Sequence, residues 1–181
     1  MMTIRRAITT DLAAINDIYN DAVINTTATF DTQTKTLKER EGWFAKHGEK
    51  YPILVAVKDT RLVGWASLSR WSDRLAYTDT AEISVYIHKE QRRKGIGRKL
   101  MSAILDEGRK AKLHVLIALI VEGNSLSIYL HESAGFWKVG TMKEVGRKFG
   151  KILDINIMQL ILQDERSITI KQEQRNNSRL E

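Results

Sequence analysis

Residues 81 to 121 change hydrophobic period twice, and that change limits the folds open to the chain. From Ala81 to His88 the residues alternate strictly, with Ala81, Ile83, Val85 and Ile87 on one face and Glu82, Ser84, Tyr86 and His88 on the other, the pattern of a half-buried strand. A basic, glycine-bearing segment follows, and then Ile96, Leu100, Ala103, Ile104 and Leu105 recur at helical spacing. The nearly unbroken apolar run from His114 to Val121 reads as a strand covered on both faces. Strand, helix and strand in that order predict a right-handed parallel crossover, and with it a mixed α/β sheet carrying helices on both faces.

The flanking segments extend this pattern. A short strand is expected at residues 3–7, then a helix over 11–24 with Thr10 as its cap. A second helix should start at the capping-box sequence Thr36-Leu37-Lys38-Glu39 and run to about His47. Residues 53–57 and 62–68 form two β-rich runs separated by Lys58-Asp59-Thr60-Arg61, which predicts an antiparallel hairpin. The polar segment from Trp71 to Asp79 reads as a connecting loop. A helix capped at Asn124 or Ser125 and stopped by Gly135 precedes two strands, at 136–145 and 152–162. The expectation is a central sheet of about seven strands.

A chain of 181 residues with 43% apolar and 28% charged side chains suits one globular domain, placed at residues 1–163, with a polar tail at 164–181. No cysteine is present, which excludes disulfides and thiolate chemistry. His47, His88, His114 and His131 show no metal-ligand spacing, so no metal is expected. The N-terminus lacks an apolar signal stretch and no window is long and apolar enough to span a membrane, so a cytoplasmic protein without a membrane partner is expected. The net charge of +7 favours an anionic partner, and the position of the charge must say which.

Five of the eight residues from Arg92 to Lys99 are basic, and Gly95 and Gly97 lie among them. Unpaired N–H groups at a helix start, with the positive end of the helix dipole behind them, make an anion site. Glycine lets the backbone approach the anion, so a pyrophosphate would fit. The ATPase loop pattern is absent, and a dinucleotide fingerprint fails because position 100 is Leu. The plainer alternative is a solvated helix start that happens to be basic.

The remaining pattern, Arg92-x-x-Gly95-x-Gly97 between strand and helix, resembles the pyrophosphate signature of the GNAT acyltransferase superfamily. The resemblance covers roughly residues 3 to 162 and extends to its phosphinothricin acetyltransferase-like branch, which includes methionine sulfoximine and sulfone acetyltransferases. It is carried by Ile18-Tyr19-Asn20, Thr80-Ala81-Glu82, Ser84-Val85-Tyr86-Ile87, Leu130-His131-Glu132, Gly135-Phe136, Val145-Gly146-Arg147-Lys148-Phe149-Gly150 and Met158-Gln159-Leu160. It implies acetyl-CoA as co-substrate, held by the main chain of Val85, Tyr86 and Ile87, by Arg93, Lys94, Gly95, Ile96, Gly97 and Arg98, and by Asn124 and Ser133. It also implies direct transfer through a tetrahedral intermediate, with a backbone N–H near Val85 polarising the thioester.

The resemblance also implies Glu82 as the general base and His131 as the acid for the departing thiolate, roles that suit a carboxylate and an imidazole. Each has a structural alternative: Glu82 ordering water or pairing with a cation, His131 packing in the core, Asn124 capping a helix. The acceptor is expected at Phe30, Trp71, Arg74, Leu75 and Tyr77, with Arg74 holding an amino-acid carboxylate; a solvated loop is the alternative there. The expected reaction is N-acetylation of a small amino acid or analogue, by a homodimer as in related proteins. Acetylation of protein lysines or N-termini is the rival within the fold. A non-catalytic CoA sensor or a basic nucleic-acid-binding protein are the rivals outside it, although no recognition pattern for nucleic acid is present.

Overall fold

A computed structural model describes residues 1–162; the expected tail at 164–181 lies outside the described residues. The elements run β1 (Met2–Arg6), α1 (Leu12–Asn25), α2 (Leu37–Phe44), β2 (Ile53–Lys58), β3 (Arg61–Arg70), β4 (Thr80–Ile87), α3 (Ile96–Lys110), β5 (Val115–Val121), α4 (Ser125–Ser133), β6 (Trp137–Lys148) and β7 (Lys151–Ile161). They form one seven-stranded sheet in the order β1-β2-β3-β4-β5-β7-β6. Every neighbouring pair is antiparallel except β4 with β5, as the strand-helix-strand pattern requires.

Helices cover both faces. On one, Leu12, Ile15 and Ile18 of α1 pack with Ile53, Val55 and Trp65, and Trp43 and Phe44 of α2 lie against them. On the other, Ile96, Leu100 and Ile104 of α3 pack on Leu54, Ala66, Leu68, Ala81, Ile83 and Leu116, with Ile128 and Leu130 of α4 beside them. A β-bulge separates the two sets on β3. Val57 pairs with Leu62 but Ala56 with Gly64, so one extra residue reverses the alternation and turns both Leu62 and Trp65 toward α1.

Several local expectations change. Thr10 is not the cap of α1; it lies in a short 3-10 turn, Thr9–Asp11. Asp11 instead accepts the Ile8 N–H at 2.9 Å and a two-pronged contact from Arg5 at 2.7 and 2.8 Å, which holds its carboxyl below the usual range. The Thr36–Glu39 capping box does form, but α2 ends at Phe44, before His47. β5 is covered unevenly: Leu116, Ala118 and Ile120 are buried, whereas Val115, Ile117 and Leu119 are only partly so.

Strands β6 and β7 also run closer together than the expected gap at 146–151. Lys148 pairs with Lys151 across Phe149 and Gly150, whose φ angles are 51° and 73°, the two left-handed residues of a tight hairpin turn.

Candidate active site

The ladder between β4 and β5 is short. Partners run from Thr80–Val115 to Glu82–Ile117, although the strands continue to Ile87 and Val121. Past Glu82 the facing edges share no ladder, and the wedge between them opens into a cavity of about 1410 Å³ whose walls include residues 83–87 and 118–122. Small-molecule sites commonly run from about 300 to 1,000 Å³, so this space accommodates a long cofactor arm and an acceptor together. A strand edge without a neighbour offers its N–H and C=O groups to an extended ligand.

At one end of the wedge lies the start of α3. Arg92, Arg93, Gly95, Gly97 and Arg98 line the cavity there. Gly95 caps the helix from the left-handed region at φ 78°, without a side-chain cap. The N–H groups of residues 93–98 find no main-chain acceptor among the described residues. A row of free donors at the positive end of a 15-residue helix fits the paired phosphates of coenzyme A. Lys94 and Ile96 do not line the cavity: the Lys94 ammonium is 3.4 Å from Gln91 and the Ile96 side chain is in the core. Arg98 donates to the Tyr129 hydroxyl at 3.0 Å, tying α3 to α4 at the cavity mouth.

Asn124 lines the same space, and its Oδ1 accepts the Ser127 N–H at 3.2 Å. It is therefore a helix cap, with its amide NH2 left over for a ligand carbonyl. Ser133 is turned elsewhere: it is exposed, donates to the Tyr129 carbonyl at 2.7 Å, and does not line the cavity.

Glu82 stands at the vertex of the wedge. Its carboxylate has no hydrogen-bonding or ionic partner among the described residues, and burial alone raises its pKa. His131 is 4% exposed and lies edge-on to Phe136 at 5.1 Å. Its Nδ1 is 2.8 Å from the Ser127 carbonyl, which can only accept, so Nδ1 carries the proton and Nε2 a bare lone pair. That Nε2 is buried without a partner, and burial lowers the pKa. His131 is thus neutral and basic at Nε2; to donate there it must first gain a proton.

At the other end, Phe30 lines the cavity from the segment joining α1 and α2, and Lys148 donates to the neighbouring Thr29 carbonyl at 2.8 Å. Trp71, Arg74, Leu75 and Tyr77 are not brought in. They lie on the β3–β4 connection, the last three exposed, and none lines the cavity. The cavity wall instead includes a group that sequence reasoning missed, Arg40 with Tyr19, Trp43 and Trp65. One signal for it was available: Arg40 precedes Trp43 and Phe44 by three and four residues, so it sits on the apolar face of its helix.

The acetyltransferase (GNAT) domain pattern matches residues 4–157. The chain belongs to that family. It is similar to the L-amino acid N-acyltransferase MnaT of Escherichia coli, 42% identical over 167 residues, covering 92% of this chain and 96% of that protein. It is equally similar to an L-methionine sulfoximine/L-methionine sulfone acetyltransferase of Salmonella typhimurium, 42% identical over 90% of this chain and 96% of the relative. An acetyltransferase of Salmonella typhimurium solved with its cofactor acetyl-CoA superposes with a TM-score of 0.86 at 41% identity, covering 91% of this chain and 95% of that one. As a GNAT acetyltransferase domain, the chain has its helix-start donors, its parted strands and its lone carboxylate along one continuous cavity.

Proposed function

We propose that the protein transfers the acetyl group of acetyl-CoA to the α-amino group of a small amino acid or analogue, of the methionine sulfoximine, methionine sulfone or phosphinothricin type. One observation carries this reading: the β4–β5 wedge joins free main-chain donors at α3 to an end lined by Tyr19, Phe30, Trp43 and Trp65, with Glu82 in the same cavity. The named activities of the similar proteins, on L-amino acids and on methionine sulfoximine and sulfone, favour a small acceptor over a protein lysine or N-terminus.

Acetyl-CoA supplies an activated thioester. The residues 93–98 cradle holds its phosphates, and the free edge of Val85, Tyr86 and Ile87 aligns the arm and points a main-chain N–H at the thioester oxygen. The acceptor nitrogen forms the new C–N bond as the C–S bond breaks. An ammonium must first lose a proton. Glu82 lies three residues from Val85, about 10 Å along the strand, so it receives that proton through water or the Ser84 hydroxyl. The bare Nε2 of His131 accepts a proton from the reacting nitrogen and returns it to the departing sulfur.

A homodimer and a cytoplasmic setting complete the reading. Val139, Val145 and Ile152 on β6 and β7 and Phe149 in the turn between them are exposed apolar side chains that a second copy would cover, and sedimentation would measure this. No helix among the described residues is long and apolar enough to cross a membrane. The decisive experiment screens free amino acids and their sulfone, sulfoximine and phosphinic analogues for thiol release from acetyl-CoA. Turnover on at least one supports the reading; turnover only on protein amines would overturn it.

A further inference from the structure

The hydrogen bonds of His47 have a fixed direction. Its Nδ1 lies 2.8 Å from the Trp43 carbonyl, which can only accept, so Nδ1 carries the proton and Nε2 a bare lone pair. Nε2 is 3.0 Å from Ser69 Oγ, so the Ser69 hydroxyl donates to it. The Ser69 oxygen then has lone pairs to offer and no proton left to give. Burial lowers the His47 pKa, and the positive charge of Arg40 lowers it further, so the ring rests neutral.

Ser69 faces Glu82. The two are direct cross-strand partners on β3 and β4, which sets their Cβ atoms about 5 Å apart. Four residues away on each strand, Trp65 and Tyr86 are likewise partners and stack at 4.7 Å within the α1 and α2 layer, so Ser69 and Glu82 share that face. Ser69 and Glu82 both line the cavity, whereas His47 does not line it and is only half-buried. The row Glu82, Ser69, His47 therefore crosses the cavity wall. Along it every acceptor waits on the outer side of its donor: a protonated Glu82 has the Ser69 oxygen to give to, directly or across one water, and Ser69 has Nε2.

The reaction leaves a proton over. An ammonium and acetyl-CoA give an amide, a free thiol and one proton. Of the two N–H protons that the acceptor loses, one ends on sulfur and the other on Glu82, which must shed it before the next turnover. We propose that Ser69 and His47 are the proton relay that returns Glu82 to its carboxylate form, through the wall rather than through the space filled by acetyl-CoA and the acceptor. The Glu82 O–H bond breaks as its proton joins the Ser69 oxygen, and the former hydroxyl proton of Ser69 passes to His47 Nε2. The half-exposed imidazolium releases it to solvent water, and the Ser69 hydroxyl turns back to the neutral ring. This rests on Glu82 being the base in the reading above. Neither residue acts on the acceptor; both act through Glu82.

The test measures acetyl transfer to L-methionine sulfone by wild-type protein, Ser69→Ala, His47→Ala and His47→Gln, with melting temperature as the control for folding. Breaking the relay should lower kcat about 10- to 100-fold and leave the KM of both substrates unchanged. In His47→Gln the amide oxygen still accepts the Ser69 hydroxyl but takes up no proton, so kcat should stay low; a wild-type rate there would reduce His47 to a structural partner and overturn the relay. Added imidazole should restore kcat in His47→Ala and not in Ser69→Ala. Pyrrole, of the same shape but without a basic lone pair, should restore neither. On a Glu82→Gln background the same substitutions should cost nothing further; equal costs on both backgrounds would show that they do not act through Glu82. Where His47→Ala fails to fold, Ser69→Ala and its rescue by Ser69→Thr decide. Unchanged kcat in folded Ser69→Ala overturns the relay and leaves the transfer reaction intact. Wild-type transfer to some other amine, and none to L-methionine sulfone or other amino acids, defeats the amino-acid reading instead, and the same variants then test the relay on that amine.

Discussion

The ring of Phe30 fills the space that a side chain at Gly146 would need, so that a Cβ there would overlap the ring carbons. Two residues further along β6, Lys148 donates to the Thr29 carbonyl at 2.8 Å. These two contacts fasten the α1–α2 connection to β6 and shape the end of the cavity proposed for the acceptor. Gly146→Ala should therefore displace Phe30. The KM for the amine should rise and the KM for acetyl-CoA should not, with a loss of about 1–2 kcal/mol in stability from overpacking. Steady-state kinetics with each substrate varied, and a thermal melt, check this; equal effects on both substrates would contradict it.

Glu82→Gln should lower turnover by about 10²-fold if the carboxylate takes the acceptor's proton. The acid limb of the pH–rate profile, which burial places above the ordinary carboxylate value of 4.5, should disappear. Stability should move the other way. A carboxyl whose folded pKa is raised holds its proton in the folded state while the unfolded chain has released it, so stability falls as pH rises through that window. Glu82→Gln removes the penalty. It should melt higher than wild type at neutral pH and equally below pH 4.5.

The β4-α3-β5 unit was legible because its signals are local. Strict alternation, a basic glycine loop and a helical stripe each fix one element, and their order fixes the single parallel pair. The early end of the β4–β5 ladder, at Glu82–Ile117, leaves no such trace, since residues 83–87 alternate in the same way whether or not a neighbour pairs with them. Arg40 was hidden among the charged residues Lys38, Glu39 and Glu41, so nothing in the local composition set it apart. The hairpin turn escaped because Phe149-Gly150 lacks the usual Asn or Asp in the first left-handed position. The bulge at Val63 was invisible because Leu62 and Val63 are both apolar, so the reversal of faces does not break the pattern.

The cradle should tolerate substitution at Gly97 by size. A Cβ there would meet Leu130 Cδ2 at 3.4 Å, an ordinary contact, so Gly97→Ala should keep acetyl-CoA binding within a few-fold. Gly97→Trp should project into the cavity beside the free N–H groups and abolish binding while the fold persists. Isothermal titration with acetyl-CoA and circular dichroism distinguish the two outcomes. Normal binding in the Trp variant would show that the phosphates lie elsewhere.

Burial holds both His47 and His131 below their ordinary pKa of 6.5. Each is neutral when folded, with Nδ1 facing a main-chain carbonyl, that of Trp43 or Ser127, at 2.8 Å. Below pH 6.5 the unfolded chain binds protons that the folded protein does not, so stability is full above that pH and is lost as pH falls toward the folded values. His131→Phe removes one of these sites and keeps an aromatic ring against Phe136. Its melting temperature should fall less steeply than that of wild type as the pH drops below 6.5. The same variant lacks the Nε2 lone pair, so kcat should fall with little change in either KM. Differential scanning calorimetry across the acid range and initial rates near neutral pH test the two effects separately. An unchanged kcat would limit His131 to packing, and an unchanged pH slope would mean that His131 is not the group that must be kept neutral.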